Sequence, residues 1–557
     1  MLLKKKFLIL TAVFIFSVAL RIWNLNEMGR TWDEITYVKL GYNTIQLIKS
    51  GNYWKEITNT RNELTYHFYY ELPDPPPLER YLYGLAAQFD VERISDGEPV
   101  FFYDLTYSRL VSVFFSSFAI ITTLLIGWEF ISPFVGISSS LLLSTLPIFL
   151  GYSQIATLES MIVFFFTASV YSFLKTLRKK TVKRVLLTGL LFGLALSVKY
   201  TNILLLPLFI WVYLIWNFHR NKKEKFWSLF PFLLAITGAA LVVFFMLWPF
   251  LWFHLKEIYE FENNFRVLST RKSIPEFFFG KLILVPNFYY IIYFAITTPL
   301  AILFVFYYGC LMIAGTKFSY FKLRRLFTAA YCKSINFKNS VLNFFLLTLL
   351  KDRRVLDYRK ENNWVLPSLV VWFIIPFLLS FYNFRQHGVR YIIEIYIPLS
   401  LITGIGIEAL SKNISIKKYS ILFLLILYLI IADLKISPYY LDYFNLIAGG
   451  TKGVYESKMY QMGWWGQGLR EAGLYLEKNA KRGSSVGVAA VPFESFPPSE
   501  NLKIFKYEND KKYDYVVVSF FNVVREGFND SSIKIAYSPV YNVLADGASL
   551  VTVYKAK

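Results

Sequence analysis

Long apolar runs recur along most of this chain, and they limit its possible folds more than any other feature. A run of about 20 apolar residues crosses a bilayer as a helix, because in lipid the backbone must pair its polar groups internally. Allowing some tolerance in length, we read about eleven such runs. They are 7–23, 106–129, 133–150, 158–177, 185–198, 203–217, 227–251, 288–314, 363–382, 391–411 and 419–436, with the fifth and sixth short. A further apolar piece, 339–350, is open to interpretation as a re-entrant or interfacial segment rather than a span.

The composition agrees with a membrane protein. Of the 557 residues, 55% are apolar and 19% are aromatic, which is more than soluble proteins use. We therefore predict a mainly α-helical, multi-pass protein of the cell membrane. The N-terminal stretch MLLKKKFLILTAVFIFSVALRIW has the charge and apolarity of a signal peptide. No small-residue cleavage site follows it, so we interpret it as a retained first span.

The distribution of positive charge predicts the orientation. The net charge is +21, although only 17% of the residues are charged. With a cytoplasmic N-terminus, the Lys and Arg excess falls in alternate short loops, as the positive-inside rule requires. These basic stretches are Lys4–Lys6, 178–184, 219–225, 317–338 and 412–418. Orientation accounts for most of the net charge, so we expect no nucleic-acid partner.

The same topology places four segments outside the cell, and we expect the functional site to lie among them. They are 24–105, 252–287, 385–390 and the chain after 436. We predict a transmembrane domain over 1–436, which includes the first external loop, and an extracytoplasmic C-terminal region over 437–557.

The C-terminal region changes character and predicts a small α/β domain. LREAGLYLEKNA has helical periodicity, and SSVGVAAV, LKIFKY and YDYVVVSFF resemble strands. A final hairpin turns at Asp546-Gly547. The two cysteines of the chain, Cys310 and Cys332, lie outside this region, so its sequence contains neither a disulfide framework nor a thiolate metal cluster.

Charged residues at the outer ends of the predicted spans are the functional candidates, because charge at membrane depth is costly. They are Asp33, Glu34, Arg109, Glu159, Lys199, His387 and Arg390. Other interpretations stay open. Glu159 is also suited to capping a helix, Lys199 to snorkelling from a span end, and His387 and Arg390 to anchoring at the interface.

Asp33 stands at the start of a predicted amphipathic surface helix over 34–50, where apolar and aromatic positions repeat at helical spacing. The helix dipole and the unpaired N–H groups there favour an ionised carboxylate, which suits a proton acceptor. A simple N-cap role is the alternative.

Short motifs follow one another in a definite order along the chain. They are WDEITY at 32–37, DPPPLERYLYGL at 74–85, YSRLVSVFFSS at 107–117, SQIATLESMIVFF at 153–165, GLLFGLALSVKYTNILLLP at 189–207, GVRYIIEIYIPLSLITGIG at 388–406, PYYLDYFNLIAGG at 438–450 and WWGQGLREAGLYL at 464–476. In order and spacing they resemble the lipid-phosphate-sugar glycosyltransferases of the GT-C class. The nearest branch contains the protein O-mannosyltransferases and the bacterial enzymes that transfer aminoarabinose to lipid A.

The resemblance implies transfer of a monosaccharide from a dolichyl or undecaprenyl phosphate to a hydroxyl of a protein, lipid or glycan. It implies Asp33 as the general base and Glu34 beside it as a residue that places the acceptor. It further implies that Tyr37, Arg109 and Lys199 bind the lipid phosphate or the sugar, and that Glu159 is a second acidic position of the site.

The sequence departs from the family pattern at two places. Pro75 stands where the family usually has His or Lys before two prolines, so a phosphate contact is missing or is supplied by Arg80, Arg266 or Arg271. Gly468 follows Gln467 where the family often has Asp, which leaves the WWGQG segment without a predicted role beyond packing.

Elementary chemistry is compatible with this resemblance. A sugar on a lipid phosphate already has its leaving group, so transfer needs a cation for the phosphate and a carboxylate for the incoming hydroxyl. A single displacement would invert the anomeric centre. We expect no cofactor, although the carboxylates of Asp33, Glu34 and Glu159 are ligands that Mg²⁺ or Mn²⁺ accepts, which leaves a divalent metal open. A transporter or lipid-carrier flippase is the main alternative, and it would predict internal repeats and polar residues at the membrane midplane.

The topology is testable with reporter fusions. A reporter fused after Lys557 should lie outside the cell, and a reporter inserted in 178–184 should lie inside, because the basic loops stay cytoplasmic. Finding both chain ends in the cytoplasm would invert the orientation and remove the external site.

Overall fold

The computed structural model describes residues 2–58, 76–220, 224–253, 275–284, 286–315, 363–381 and 388–557. The ambiguous apolar piece 339–350 lies outside these residues, as do Pro75, Arg266, Arg271 and His387.

The described chain is mainly α-helical, as predicted. Its helices are α1 Leu2–Ile22, α2 Trp32–Lys49, α3 Tyr53–Thr58, α4 Leu78–Ala87, α5 Thr106–Phe130, α6 Pro133–Ser144, α7 Pro147–Ser153, α8 Glu159–Arg178, α9 Val182–Val198, α10 Leu205–His219, α11 Leu229–Leu247, α12 Phe250–Phe253, α13 Tyr289–Thr297, α14 Leu300–Gly315, α15 Val365–Ile374, α16 Tyr396–Ile414, α17 Lys418–Ile436, α18 Gly450–Ser457, α19 Leu469–Asn479, α20 Phe520–Val524 and α21 Ser531–Ala536. Short 3₁₀ helices cover Tyr200–Leu204, Phe226–Ser228, Ile375–Phe381, Arg390–Ile395, Tyr440–Asp442, Leu446–Ala448 and Phe493–Ser495.

Several of the described helices are long and apolar enough to cross a membrane. Six satisfy this alone: Thr106–Phe130, Glu159–Arg178, Tyr200–His219, Leu229–Leu247, Arg390–Ile414 and Lys418–Ile436. The pair α6–α7 is bent by 69° and the pair α13–α14 by 117°, which gives up to eight spans if each pair counts as one. Since α1 contains three lysines and α9 and α15 are shorter, the count of about eleven spans stays a prediction.

The bend between α13 and α14 is stabilised from a distant part of the chain. Pro299 lies at the bend and has no N–H, so it cannot donate to the carbonyl of Ala295. The side-chain amide of Asn445 donates to the Ala295 carbonyl at 2.7 Å and to the Thr298 carbonyl at 2.6 Å. The backbone N–H of Asn445 donates to Ile296 at 2.8 Å. The segment after the last span thus pairs the carbonyls that the bend would otherwise leave unsatisfied.

Glycines allow α2 and α4 to pack backbone against backbone. A Cβ on Gly41 would lie 2.6 Å from the backbone nitrogen of Gly84 and 2.8 Å from the carbonyl oxygen of Arg80. Small residues at such contacts let helices approach closely. Because Asp33 lies near the start of α2, this contact sets the position of the helix that carries the candidate base.

The C-terminal region contains the predicted helix and strands. Strands β5 Ser485–Ala489, β6 Lys503–Lys506, β7 Tyr515–Ser519, β8 Tyr537–Ala545 and β9 Ala548–Ala556 form one mixed sheet in the order β6-β5-β7-β9-β8. The first three are parallel, and β9 is antiparallel to β7 and β8. The hairpin turns at Asp546 and Gly547, which both have positive φ (45° and 80°), as a two-residue type I′ turn requires.

Two further hairpins lie in the predicted external segments. They are formed by β1 Val91–Ser95 with β2 Glu98–Phe101, and by β3 Glu276–Phe278 with β4 Lys281–Ile283.

Ionic and hydrogen-bond contacts join the C-terminal region to the first external segment and to the end of α17. Arg470 Nε lies 3.2 Å from Asp104 Oδ1, and the Tyr103 hydroxyl donates to the Ser495 carbonyl at 2.6 Å. The carboxylate of Glu471 accepts from Tyr439 at 2.8 Å and from Tyr541 at 2.6 Å.

The α2–α4 contact predicts a stability effect. Gly41→Ala should lower the thermal unfolding temperature in detergent, because the added methyl meets backbone atoms that cannot rotate away, and overpacking costs about 1–3 kcal/mol. Gly238→Ala is the matched control, since a Cβ there meets nothing within 4 Å. Equal unfolding temperatures for the two variants would contradict this packing.

Candidate active site

The structure places Asp33 at the second position of α2, one turn or less from the helix N-terminus. Thr31 precedes the helix in an extended conformation, with φ −91° and ψ 157°. The helix begins at Trp32, two residues before the predicted start at 34, and its N-cap is Thr31 and not Asp33. About a third of the Asp33 side chain (32%) is exposed, so it is accessible to a ligand.

Arg390 connects Asp33 to Glu159. Its Nη1 lies 2.6 Å from Asp33 Oδ2, and its Nε lies 2.5 Å from Glu159 Oε1. Arg390 begins a 3₁₀ helix that leads into α16, and Glu159 is the first residue of α8. The ends of three helical segments, distant in sequence, thus meet through one guanidinium. Three of the predicted residues, Asp33, Glu159 and Arg390, are therefore in direct contact.

The contacts leave one Asp33 oxygen available. Oδ2 accepts from Arg390, whereas Oδ1 has no hydrogen bond among the described residues. A carboxylate with one paired and one accessible oxygen can be held in place and still receive a proton.

Glu34 and Arg109 are paired with each other and have no exposed surface. Arg109 Nε donates to Glu34 Oε1 at 2.7 Å and Nη2 donates to Oε2 at 2.8 Å, in a bidentate arrangement. Both side chains are 0% exposed. A direct contact of either residue with substrate, as the resemblance implies, does not agree with this burial. We infer instead that the pair positions the helices around Asp33.

The rest of the Glu34–Arg109 network supports a positioning role. Arg109 also donates to the carbonyl of Leu25 at 2.8 Å, and Glu34 accepts from the backbone N–H of Ala156 and Thr31 at 2.8 and 2.9 Å. Burial alone would raise the pKa of Glu34, but the Arg109 charge and these hydrogen bonds outweigh it and lower that pKa below 4.5. The carboxylate therefore stays ionised in the folded protein.

Lys199 presents a buried cation without a carboxylate partner in the described part of the chain. It follows α9 in an extended conformation, is 5% exposed, and its Nζ lies 4.5 Å from the centre of the Tyr391 ring. Within the described residues, Nζ makes neither a hydrogen bond nor an ion pair. The charge of Lys199 also acts on buried Glu394 in the same span end as Arg390. A cation in this state is suited to binding a phosphate.

The remaining predicted residues are Tyr37, Arg80 and His387. The Tyr37 hydroxyl is near enough to interact with the charge of Arg390. Arg80 is buried beside its neighbour Glu79, with Nε 3.6 Å from Glu79 Oε1. His387 lies outside the described residues, so its predicted role stays a prediction.

Sequence reasoning missed three residues that adjoin the cluster. Trp465 lies over Arg390, with the guanidinium carbon 4.5 Å from the ring centre, and Tyr391 flanks the same guanidinium at 5.9 Å. The third is Glu394, which is buried and interacts with the charge of Lys199. A carboxylate in the first turn of an apolar run was a usable signal for Glu394, whereas nothing in the sequence places Trp465 near Arg390.

The described side chains contain no group of three or more His, Cys, Asp or Glu arranged to hold a metal ion. Asp33 and Glu159 share Arg390, and Glu34 is turned towards Arg109. The three carboxylates that the sequence suggested as metal ligands are therefore each paired with a guanidinium.

A family model agrees with the resemblance seen in the sequence. Residues 77–265 match the model for dolichyl-phosphate-mannose-protein mannosyltransferases. This match confirms the resemblance to the O-mannosyltransferase branch over that stretch, which contains Arg109, Glu159 and Lys199. A search of curated protein sequences gives no significant match.

Solved structures of three membrane enzymes are also similar to this chain. The protein O-mannosyltransferase complex Pmt1–Pmt2 of S. cerevisiae, bound to the sugar donor, is 20% identical over 45% of this chain and 34% of that chain, with a TM-score of 0.34. ArnT from Cupriavidus metallidurans, bound to undecaprenyl phosphate, is 13% identical over 98% and 97%, with a TM-score of 0.47. The oligosaccharyltransferase AglB from Archaeoglobus fulgidus is 11% identical over 98% and 74%, with a TM-score of 0.41.

The burial of Glu34 predicts that its removal affects stability. Glu34→Gln leaves the buried Arg109 charge unpaired, and breaking such a pair costs about 3–5 kcal/mol, so the thermal unfolding temperature should fall markedly. Glu98→Gln is the control, because its ion pair with Lys39 is largely exposed and such pairs contribute about 0–1 kcal/mol.

The same network sets a pH dependence. Because the pKa of Glu34 is lowered, its stabilisation is present above pH 4.5 and is lost as the pH falls through the folded-state pKa. The Glu34→Gln variant should lack this acid-side loss. An unchanged unfolding temperature in Glu34→Gln, together with abolished activity, would restore Glu34 as a substrate contact.

Proposed function

We propose that this protein is an integral membrane glycosyltransferase that moves one monosaccharide from a polyprenyl-phosphate donor to an acceptor hydroxyl on the outer face of the membrane. The observation that carries the proposal is the meeting of Asp33, Arg390 and Glu159 at span ends, with the cation of Lys199 beside them. The family match over 77–265 points to the same chemistry.

The proposed reaction is a single displacement. The oxygen of the acceptor hydroxyl attacks the anomeric carbon while the bond from that carbon to the phosphate oxygen breaks, and the polyprenyl phosphate leaves with the bonding electrons. The hydroxyl proton passes to Asp33 Oδ1, the oxygen that has no hydrogen bond with the described residues. Attack opposite the leaving group inverts the anomeric centre.

Lys199 is the proposed phosphate-binding residue. Its ammonium interacts with the charge of Glu394 but forms no ion pair within 4 Å among the described residues, and burial strengthens its attraction to the negative charge that develops on the departing phosphate. Arg390 is already shared by two carboxylates, so it is less available for that role.

The proposed chemistry requires only that the acceptor carries a hydroxyl, on a protein, lipid or glycan. We expect the acceptor to approach from outside the cell, because the partly exposed Asp33 lies in the predicted external segment 24–105.

A transporter or lipid flippase is the competing class. Glu159 and Arg390 each begin a full-length candidate span, which favours an enzyme, because transport sites lie near the membrane midplane.

Asp33→Asn tests the proposal. Cell-envelope glycans of a strain that lacks the gene, compared by mass spectrometry with the wild type, should reveal the missing sugar and its acceptor. The wild-type gene should restore that glycan, whereas Asp33→Asn should restore it at least about a hundredfold more slowly, because general-base catalysis contributes about 10²–10⁴ in rate. Asp96→Asn, at the exposed tip of the β1–β2 hairpin in the same external segment, should behave as the wild type.

The Lys199→Met variant separates donor binding from the base, in a transfer assay with purified protein and the donor and acceptor that the glycan comparison identifies. It should raise the donor concentration needed for half-maximal transfer, and Lys417→Met, at an exposed site, should not. Normal transfer by Asp33→Asn would show that the base is misassigned. An unaltered glycan profile in the strain without the gene would contradict the proposed function.

A further inference from the structure

The WWGQG segment, which follows the last span, reaches the centre of the candidate active site. Trp465 is 2% exposed and its ring lies over the guanidinium of Arg390, 4.5 Å from the centroid to Cζ. The rings of Trp465 and Tyr152 also pack nearly perpendicular to each other, with a centre-to-centre distance of 5.9 Å. An aromatic face attracts a cation, most strongly where both are removed from water.

The backbone around Trp465 is held in an unusual and well-supported conformation. Gly463, Gly466 and Gly468 all have positive φ, at 68°, 92° and 87°, which residues with a Cβ rarely adopt. The Gln467 side-chain oxygen accepts a hydrogen bond from the backbone N–H of Trp465 at 2.8 Å. Asp442 Oδ1, in the turn after the last span, accepts from the Gly463 N–H at 2.7 Å. The first bond stabilises the segment internally, and the second ties it to the turn that follows the last span.

The orientation of Arg390 depends on groups on several sides. Two of its nitrogens point to Asp33 and Glu159, and these bonds define the plane of the guanidinium. These bonds do not involve the two flat faces of the guanidinium, and Trp465 covers one of those faces. Without that ring, the guanidinium has space to tilt and to exchange the Asp33 contact for water.

We propose that Trp465 is a positioning residue, which acts by holding Arg390 in the plane that joins Asp33 to Glu159, and that the C-terminal region is thereby part of the catalytic unit. This inference rests on the proposed function and adds to it a residue that does not contact the reacting atoms. It assigns a role to the WWGQG segment, for which the sequence predicted only packing.

A double-mutant cycle tests the inference with the donor and acceptor that the glycan comparison identifies. Trp465→Leu keeps an apolar side chain, although a smaller one, and removes the π face, so it should lower kcat about tenfold or more with a change in donor KM of less than about threefold. Trp465→Phe should recover most of this loss. In an Arg390→Lys background, Trp465→Leu should cost little further, because a residue that acts through Arg390 is coupled to it.

Trp211→Leu, on α10, is the control, because this ring is 54% exposed and is not part of the Trp465–Arg390 contact. Its effect should multiply with that of Arg390→Lys. If the effect of Trp465→Leu also multiplies, or if Trp465→Phe is as impaired as Trp465→Leu, Trp465 acts by packing alone and the inference is wrong.

Thermal unfolding separates this inference from the proposed function. The same cycle, measured as unfolding temperatures in detergent, needs no substrate and should show non-additive shifts for Trp465 and Arg390. Additive shifts would overturn the contact on which the inference depends. Coupled shifts in a protein that transfers no sugar would retain the contact and refute the function.

Discussion

The guanidinium of Arg390, shared between Asp33 and Glu159, is the interaction on which the arrangement of the site depends. A charge so deeply buried is stable only when it is paired, because removal of either partner leaves an uncompensated charge in a medium of low dielectric. The three residues come from the first external helix, the start of α8 and the entry to α16. Pairing them sets the relative positions of those elements. The second buried pair, Glu34 with Arg109, adds the start of α5 to the same set.

The two adjacent carboxylates of α2 show how position in a fold assigns different roles to similar residues. Asp33 is one-third exposed and keeps one oxygen available, while Glu34 is fully buried and accepts four hydrogen bonds. Successive residues of a helix point about 100° apart, so one can face an open site while the next faces the core. The proposed chemistry needs both: a proton acceptor that a hydroxyl can reach, and a rigid support that stays ionised.

Much of the fold could be predicted from the sequence, because local patterns determine helices and hairpins. Helix α2, to within two residues at its start, the strands of the C-terminal region and the turn at Asp546-Gly547 follow from apolar periodicity and turn chemistry. Loop charge predicted Asp33, Glu159 and Arg390 on one side of the membrane, and their direct contact in the structure is compatible with that prediction. The inward direction of Glu34 and the contact of Trp465 with Arg390 could not be predicted. Both depend on how elements more than 70 residues apart pack, as the sequence separation of 75 for the Glu34–Arg109 pair shows.

The bend between α13 and α14 has a consequence for how the chain is assembled during synthesis. Its unpaired carbonyls are satisfied by Asn445, which follows Ala295 by 150 positions. Lipid supplies no hydrogen-bond donor, so a segment with open carbonyls is disfavoured there until its partner has been made. We therefore expect the 117° bend to reach its final shape late in synthesis, once the chain beyond α17 has been made and Asn445 can dock against it.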